Sequence, residues 1–270
     1  MRVFDMIADE RRRMADLLDR LTDEQLGRQS LCAAWTVHQV AAHLTTYLRF
    51  GQLKMYVGMT LTAGDFDPFN EALAARDARR STAQISSLLR RRAESRTTIP
   101  GSGYDPVLTD LVLHDLDVRL PLGIHRRIEP ERLWVAFNHL TTVPALGFGI
   151  GSRLDGLRLE ASDAGWVRGV GAPVRGRAQD LLLGVSGRAI ALDALSGSGV
   201  DLLRERLNAE PEAPARRRTA KVARLMVSPS DHRSRLVGPR RAVHGPLVPA
   251  GLRTGLCPEE SQGVATMKYP

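Results

Sequence analysis

The residues of this chain able to do chemistry gather in two stretches, TVHQVAAHLTTYL and VLTDLVLHDLDVRL. In the first, Val40, Leu44 and Tyr47 recur at helical spacing, and His43 falls on their stripe. In the second, Val107, Leu111 and Val118 define an inner face. Asp110 and His114, four residues apart, share that face with side chains one turn from each other. A carboxylate in so apolar a run costs several kcal/mol, about the penalty of any uncompensated buried charge, unless something offsets it. A divalent metal would do so. Two histidines and one carboxylate form a donor set suited to zinc, or to nickel or iron(II), and leave coordination positions for water, a thiolate or a substrate.

Taken singly, these residues also have plainer readings. His43 could be a hydrogen-bonded core histidine, and Asp110–His114 a pair on a helix surface. Their convergence on two helices able to pack together is what favours the metal. His38 lies off the stripe and is expected to be exposed. His125 and His139 have no partner at ligand spacing, and His232 and His244 sit far along the chain. Asp115 points to another face. Asp117 could orient the His114 imidazole from behind, with pairing to Arg119 the plainer alternative. Cys32 is expected to be a small buried apolar residue rather than a nucleophile. No phosphate-binding or dinucleotide glycine motif is present.

The elements that must position these residues follow from periodicity and capping signals. Residues 1–150 read as a helical bundle. Val3, Phe4, Ile7, Met14, Leu17, Leu18 and Leu21 form a first buried stripe, with Arg11, Arg12 and Arg13 expected on the solvated side. Capping boxes are predicted at Thr22–Gln25, Thr36–Gln39 and Ser81–Gln84. The second should launch a helix running to about Met59, before a loop marked by Gly64, Asp65, Asp67 and Pro68. The third opens a helix burying Ile85, Leu88 and Leu89. Gly101, Gly103, Asp105 and Pro106 mark a loop that ends in a helix start, and that helix stops before Pro121 and Gly123. A further helix begins near Pro130 and buries Trp134, Phe137 and Leu140. Residues 151–208 read as a small α+β domain: a two-strand hairpin from GLRLEASD and GWVRGVG, then helices over 178–185 and 200–207. Residues 209–270 lose all periodicity and read as a disordered tail rich in Arg, Pro and Gly.

Composition excludes several function classes. No apolar run approaches the roughly 18–20 residues of a membrane span, and the N-terminus lacks the apolar stretch of a secretory signal. Two cysteines, Cys32 and Cys257, make neither a disulfide framework nor a four-thiolate zinc site, so a cytoplasmic location is expected. The net charge of +8 suggests nucleic acid until it is located. Past Asn208 eleven basic residues face five acidic ones, which leaves the first 208 residues nearly neutral. No basic stripe interleaved with aromatics is present, so nucleic acid is not an expected partner.

The strings SLCAAWTVHQVAAHL and TDLVLHDLDVRLPLGI together resemble the mycothiol-dependent maleylpyruvate isomerase family. The resemblance rests on Trp35-Thr36-Val37, on Ala42-His43-Leu44, on Asp110 to His114, and on the run from Asp117 to Gly123. It continues through GLRLEASDAGW, VRGRAQDLLLGVSGR and ALDALSGSGVDLLRERL, covering about residues 5–207. It implies a DinB-like four-helix bundle followed by a small α+β domain, with His43, Asp110 and His114 holding a divalent metal, zinc by preference. It further implies mycothiol as thiol cosubstrate, and isomerisation of, or S-transfer to, a small electrophile such as maleylpyruvate. An arginine of the second domain is expected to bind substrate or thiol. Arg188 is the candidate, with Arg175 behind it and a surface or capping role the plainer alternative. Asp110 departs from the family, whose characterised isomerase has glutamate there. A non-catalytic metal- or ligand-binding helical protein is the alternative reading.

Overall fold

The computed structural model describes residues 2–33, 35–49, 76–98, 103–142 and 154–208. The predicted ends of the helix at Met59, the loop at Gly64–Pro68, Gly101, and the tail with His232, His244 and Cys257 lie outside them. So does the side chain of Tyr47.

The protein is mainly helical. Helices α1 (Val3–Leu18), α3 (Val37–Arg49), α4 (Thr82–Arg91) and α5 (Asp105–Arg119) form the bundle, and the short α2 (Asp23–Gly27) precedes α3. Helix α1 packs on α4 and α5, and α3 packs on the same two, which closes a ring of four. Ile7, Met14 and Leu18 of α1, Val40 of α3, Ile85 and Leu89 of α4, and Leu108 and Val112 of α5 fill the centre. The three capping boxes form as expected: Thr22 with Gln25, Thr36 with Gln39, and Ser81 with Gln84. Each gives two otherwise unpaired helix-start N–H groups an acceptor.

Helix α5 differs from a two-faced helix. It is buried nearly all round, because α1, α3 and a further helix, α6 (Pro130–Thr142), all pack against it. Its apolar stripe therefore marks no single inner face, and Asp110 and Asp115 find separate surroundings. Pro106 sits in its first turn as expected; Asp105 is already its first helical residue, and Tyr104 precedes it as the N-cap with no side-chain capping bond. At its other end a 3-10 turn, Leu120–Leu122, leads into Gly123 at φ 66°, a left-handed conformation that glycine adopts without steric cost.

Beyond α6 lie β1 (Leu157–Ala161), β2 (Trp166–Arg168) and β3 (Ala172–Gly176), in spatial order β2-β1-β3. The β1–β2 hairpin is antiparallel, as the alternation predicted. Strand β3, which pairs parallel to β1, escaped the sequence reading because Pro173 and Gly176 interrupt it. The sheet docks on α6 through Trp166, whose ring lies 5.1 Å from Trp134 and 6.0 Å from Phe137. Helices α7 (Ala178–Val185) and α8 (Val200–Asn208) follow with the predicted starts, and a 3-10 turn, Ala189–Ala194, joins them. Helix α7 packs on α6. No helix among the described residues is long and apolar enough to cross a membrane.

Two expectations about charge are corrected. Arg11 is not solvated: it is 3% exposed and its Nη1 donates to the carbonyls of Ala93 (2.9 Å) and Ser95 (2.8 Å) just past α4. It supplies donors to the helix end, where backbone carbonyls lack intrahelical partners. Arg12 and Arg13 do reach the surface and pair with Glu94, and with Asp9 and Glu129. His38 is half-buried rather than exposed, with its Nε2 3.1 Å from the Ala78 carbonyl.

Candidate metal centre

Helices α3 and α5 pack side by side and bring His43, Asp110 and His114 together. One ligand atom from each lies within 4.8 Å of the others. Asp110 Oδ1 stands 3.5 Å from His43 Nε2 and 3.3 Å from His114 Nε2. These separations are long for charge-assisted hydrogen bonds, which close to about 2.7–2.9 Å. They match the edges of a coordination tetrahedron. Donors bonded at about 2.0–2.1 Å to one zinc stand roughly 3.4 Å apart. The donor set and its spacing therefore fit a divalent cation.

Both imidazoles are buried, whereas the Asp110 side chain is 24% exposed. The carboxylate is thus less enclosed than its apolar sequence run suggests, and it marks the open side of the cluster. Burial alone would push the Asp110 pKa up, but the His114 and His43 rings outweigh it and hold the pKa well below the usual carboxylate range. Burial likewise works to lower the His114 pKa. The charge of Asp110 and hydrogen bonds to Asp110, Asp117 and Cys32 overcome it and raise that pKa well above the ordinary value. The electrostatics of the cluster favour a positive charge between these groups. Trp35 walls one side, its ring centroid 4.7 Å from that of His43 and 6.0 Å from that of His114.

Behind His114 lies a second group: Asp117, Arg188 and Cys32. Asp117 Oδ2 is 2.8 Å from His114 Nδ1, 2.6 Å from Arg188 Nη2 and 3.0 Å from Cys32 Sγ, and Oδ1 accepts from Arg188 Nε at 3.0 Å. The plainer pairing with Arg119 does not occur, since Arg119 donates to Asp115 at 2.8 Å. Burial raises the Asp117 pKa in isolation, yet bonds from His114 and Arg188 pull it far below the ordinary range. Cys32, His114 and Asp117 also stand within ligand distance of one another. Here, however, the contacts are of hydrogen-bond length and Arg188 already provides the cation, so this group does not call for a metal.

Local structure explains each placement. Ser30 accepts from the Cys32 N–H (3.1 Å) and donates to the Trp35 carbonyl (2.6 Å), while the Leu31 N–H bonds the Asp117 carbonyl on α5 at 3.1 Å. That turn ties Cys32 and Trp35 to the site. Arg188 follows Gly187, whose φ of 91° ends α7. Arg188 N bonds Leu183 O and Gly187 N bonds Gly184 O, the pair of bonds of a Schellman motif. The structure brings His43, Asp110, His114, Asp117 and Arg188, each named from the sequence, into one connected group. Sequence reasoning missed Cys32, set aside as a small apolar residue and in fact half-buried in this polar group, and the wall made by Trp35. Arg175 is elsewhere, exposed and paired with Glu160. His125 is exposed and His139 is buried on α6.

Residues 7–101 match the family model of the mycothiol maleylpyruvate isomerase N-terminal domain. Over these residues the resemblance read from the motifs holds. The matched segment contains Cys32, Trp35 and His43, and it ends before Asp110 and His114. Two crystal structures of the mycothiol-dependent maleylpyruvate isomerase, one of them a mutant, are similar to 73% of this chain and 96% of their own. Sequence identity is 16% in both, with TM-scores of 0.46 and 0.47. No curated protein matches the chain in sequence.

Proposed function

We propose that His43, Asp110 and His114 hold a divalent metal, zinc by donor chemistry, and that the chain activates a low-molecular-weight thiol, mycothiol by its family resemblance. The thiol then isomerises a small electrophile such as maleylpyruvate, or is transferred to it. The observation that carries this reading is the placement of two imidazole nitrogens at 3.3 and 3.5 Å from one partly exposed carboxylate oxygen.

A bound divalent cation would act as a Lewis acid that favours the thiolate over the thiol near neutral pH. The protein's own residues supply the remainder. His43 and His114 serve as neutral ligands, Asp110 brings one negative charge, and the charge of Asp117 is offset by Arg188. A dication would leave one positive charge for an anionic ligand to meet, and a thiolate has that charge. The buried imidazoles and Trp35 exclude water from the inner side of the cluster, and the exposed edge of Asp110 leaves room for the ligand to enter.

The test is thiol consumption by zinc-loaded protein given mycothiol and a panel of activated alkenes and alkylating agents, maleylpyruvate among them. Turnover that disappears on chelation and in His43→Ala supports the proposal. Stoichiometric metal with no turnover on any member would contradict the enzymatic part and favour a metal- or ligand-binding protein.

A further inference from the structure

Arg188 was expected to meet substrate or thiol, yet its donors are committed within the protein. Nε and Nη2 form a two-pronged contact with Asp117, Nη1 donates to the Ser186 carbonyl at 2.7 Å, and the Arg188 side chain is only 13% exposed. Asp117 is fully buried, and as a carboxylate it can only accept. The proton between it and His114 therefore sits on Nδ1, which reserves Nε2, on the side of Asp110 and His43, as the atom a metal would take from the neutral ring. Arg188 in turn leaves the carboxylate a single rotamer, because a planar guanidinium engages both oxygens at once.

We infer that Asp117 and Arg188 are positioning residues for the metal centre: Arg188, held by the Schellman motif at the end of α7, clamps Asp117, and Asp117 fixes the ring proton of His114. The inference rests on the proposed metal site. It assigns Arg188 to the orientation of a ligand rather than to substrate contact. It also makes the end of α7, more than sixty residues from His114 in sequence, part of what prepares that ligand. Hydrogen-bond partners behind metal-ligating histidines commonly hold ring orientation and tautomer in this way.

The experiment titrates metal-free full-length protein with Co2+ alone, reading affinity and the visible absorption spectrum. Asp117→Asn is the sharpest variant. Arg188 donates to both carboxylate oxygens, and an amide can accept at only one of them, so the substitution breaks the two-pronged clamp and removes the negative charge behind His114. Affinity is expected to fall about 10–100-fold or more, with an altered spectrum for the cobalt that does bind. The double variant Asp117→Ala, Arg188→Gln keeps the wild-type net charge and removes acceptor and clamp together. It too is expected to bind about 10–100-fold more weakly. It carries the test alone should Asp117→Asn fail to fold, since neither partner is left as an uncompensated buried charge. Wild-type affinity and spectrum in Asp117→Asn would overturn the inference, as would recovery of affinity in the double variant, which would reduce Asp117 to a charge. Wild-type protein that takes up no cobalt would overturn the metal reading and this inference together. Cobalt uptake with unchanged variants would overturn this inference alone.

Discussion

Consecutive residues of α5, His114 and Asp115, enter two polar clusters of opposite character. On the Asp115 side, Arg119 donates to Asp115 at 2.8 Å and Arg126 reaches both Asp115 (3.1 Å) and Glu10 (2.6 Å). Arg132 closes on Glu10 and Asp9, with Glu129 at 3.1 Å. Every carboxylate there meets a guanidinium at contact distance, and the network joins α1, α5, α6 and the loop before α6. On the His114 side, Asp110 lies 3.3 and 3.5 Å from the two imidazoles, longer than a close charge-assisted contact, and no guanidinium approaches it within ion-pair distance among the described residues. The contrast teaches how a structural cluster differs from a ligand site. The first is neutralised by its own guanidinium groups, whereas the second has the spacing of the ligands to the divalent cation proposed above.

The largest effect should come from breaking the closed cluster. Arg132→Ala leaves Glu10, 1% exposed at its side chain, short of a partner; loss of about 3–5 kcal/mol in urea unfolding is expected. Unchanged stability would show that the network does not compensate its own charges. Next, removing metal should destabilise only through the open cluster. With free zinc at about 100 times its dissociation constant, chelation should remove about 2.7 kcal/mol. His43→Ala should abolish that zinc dependence, while Arg132→Ala, where folded, keeps it. A smaller loss, about 1–3 kcal/mol, is expected for Arg11→Met, which deprives the carbonyls of Ala93 and Ser95 of their donor. A Tm equal to wild type would return Arg11 to the surface role first expected of it.

The smallest effect is a pH dependence at the rim of the closed cluster. Burial works to raise the Asp9 pKa, but bonds from Arg132 and Arg13 outweigh it. For Glu129, burial is likewise outweighed, by its own backbone N–H and by the same arginines together with Arg126. Both folded-state pKa values are therefore depressed. Their contribution is present above the unfolded values, about 3.9 and 4.3, and is lost as pH falls through the folded ones. Thermal unfolding between pH 6 and pH 3 should show wild type losing stability that an Asp9→Asn, Glu129→Gln variant never had. Parallel losses in the two proteins would contradict this.

The legibility of the sequence follows the range of the interactions. Capping boxes act over three residues, so Thr22, Thr36 and Ser81 announce their helices directly. The His43–Asp110–His114 grouping was legible because a carboxylate within VLTDLVLH demands a partner, and helical spacing says where to look. Arg11 was misjudged because the carbonyls it serves, just past α4, are brought to it by tertiary packing alone. Cys32 was misjudged for a similar reason: Asp117 and Arg188 reach it from distant segments. The inner face of α5 blurred because a helix enclosed on several sides loses its amphipathic signature. Strand β3 was hidden by its own Pro and Gly, and only its parallel partner reveals it.

The central claim, that the open cluster of α3 and α5 is a metal centre, is tested most directly by elemental analysis of purified protein. Wild type, His43→Ala, Asp110→Ala and an Arg126→Met control from the closed cluster should be measured after equal exposure to zinc. The account predicts about one zinc per chain in wild type and in the control, and none in the other two. Wild-type protein without metal, or metal retained in both His43→Ala and Asp110→Ala, would contradict it.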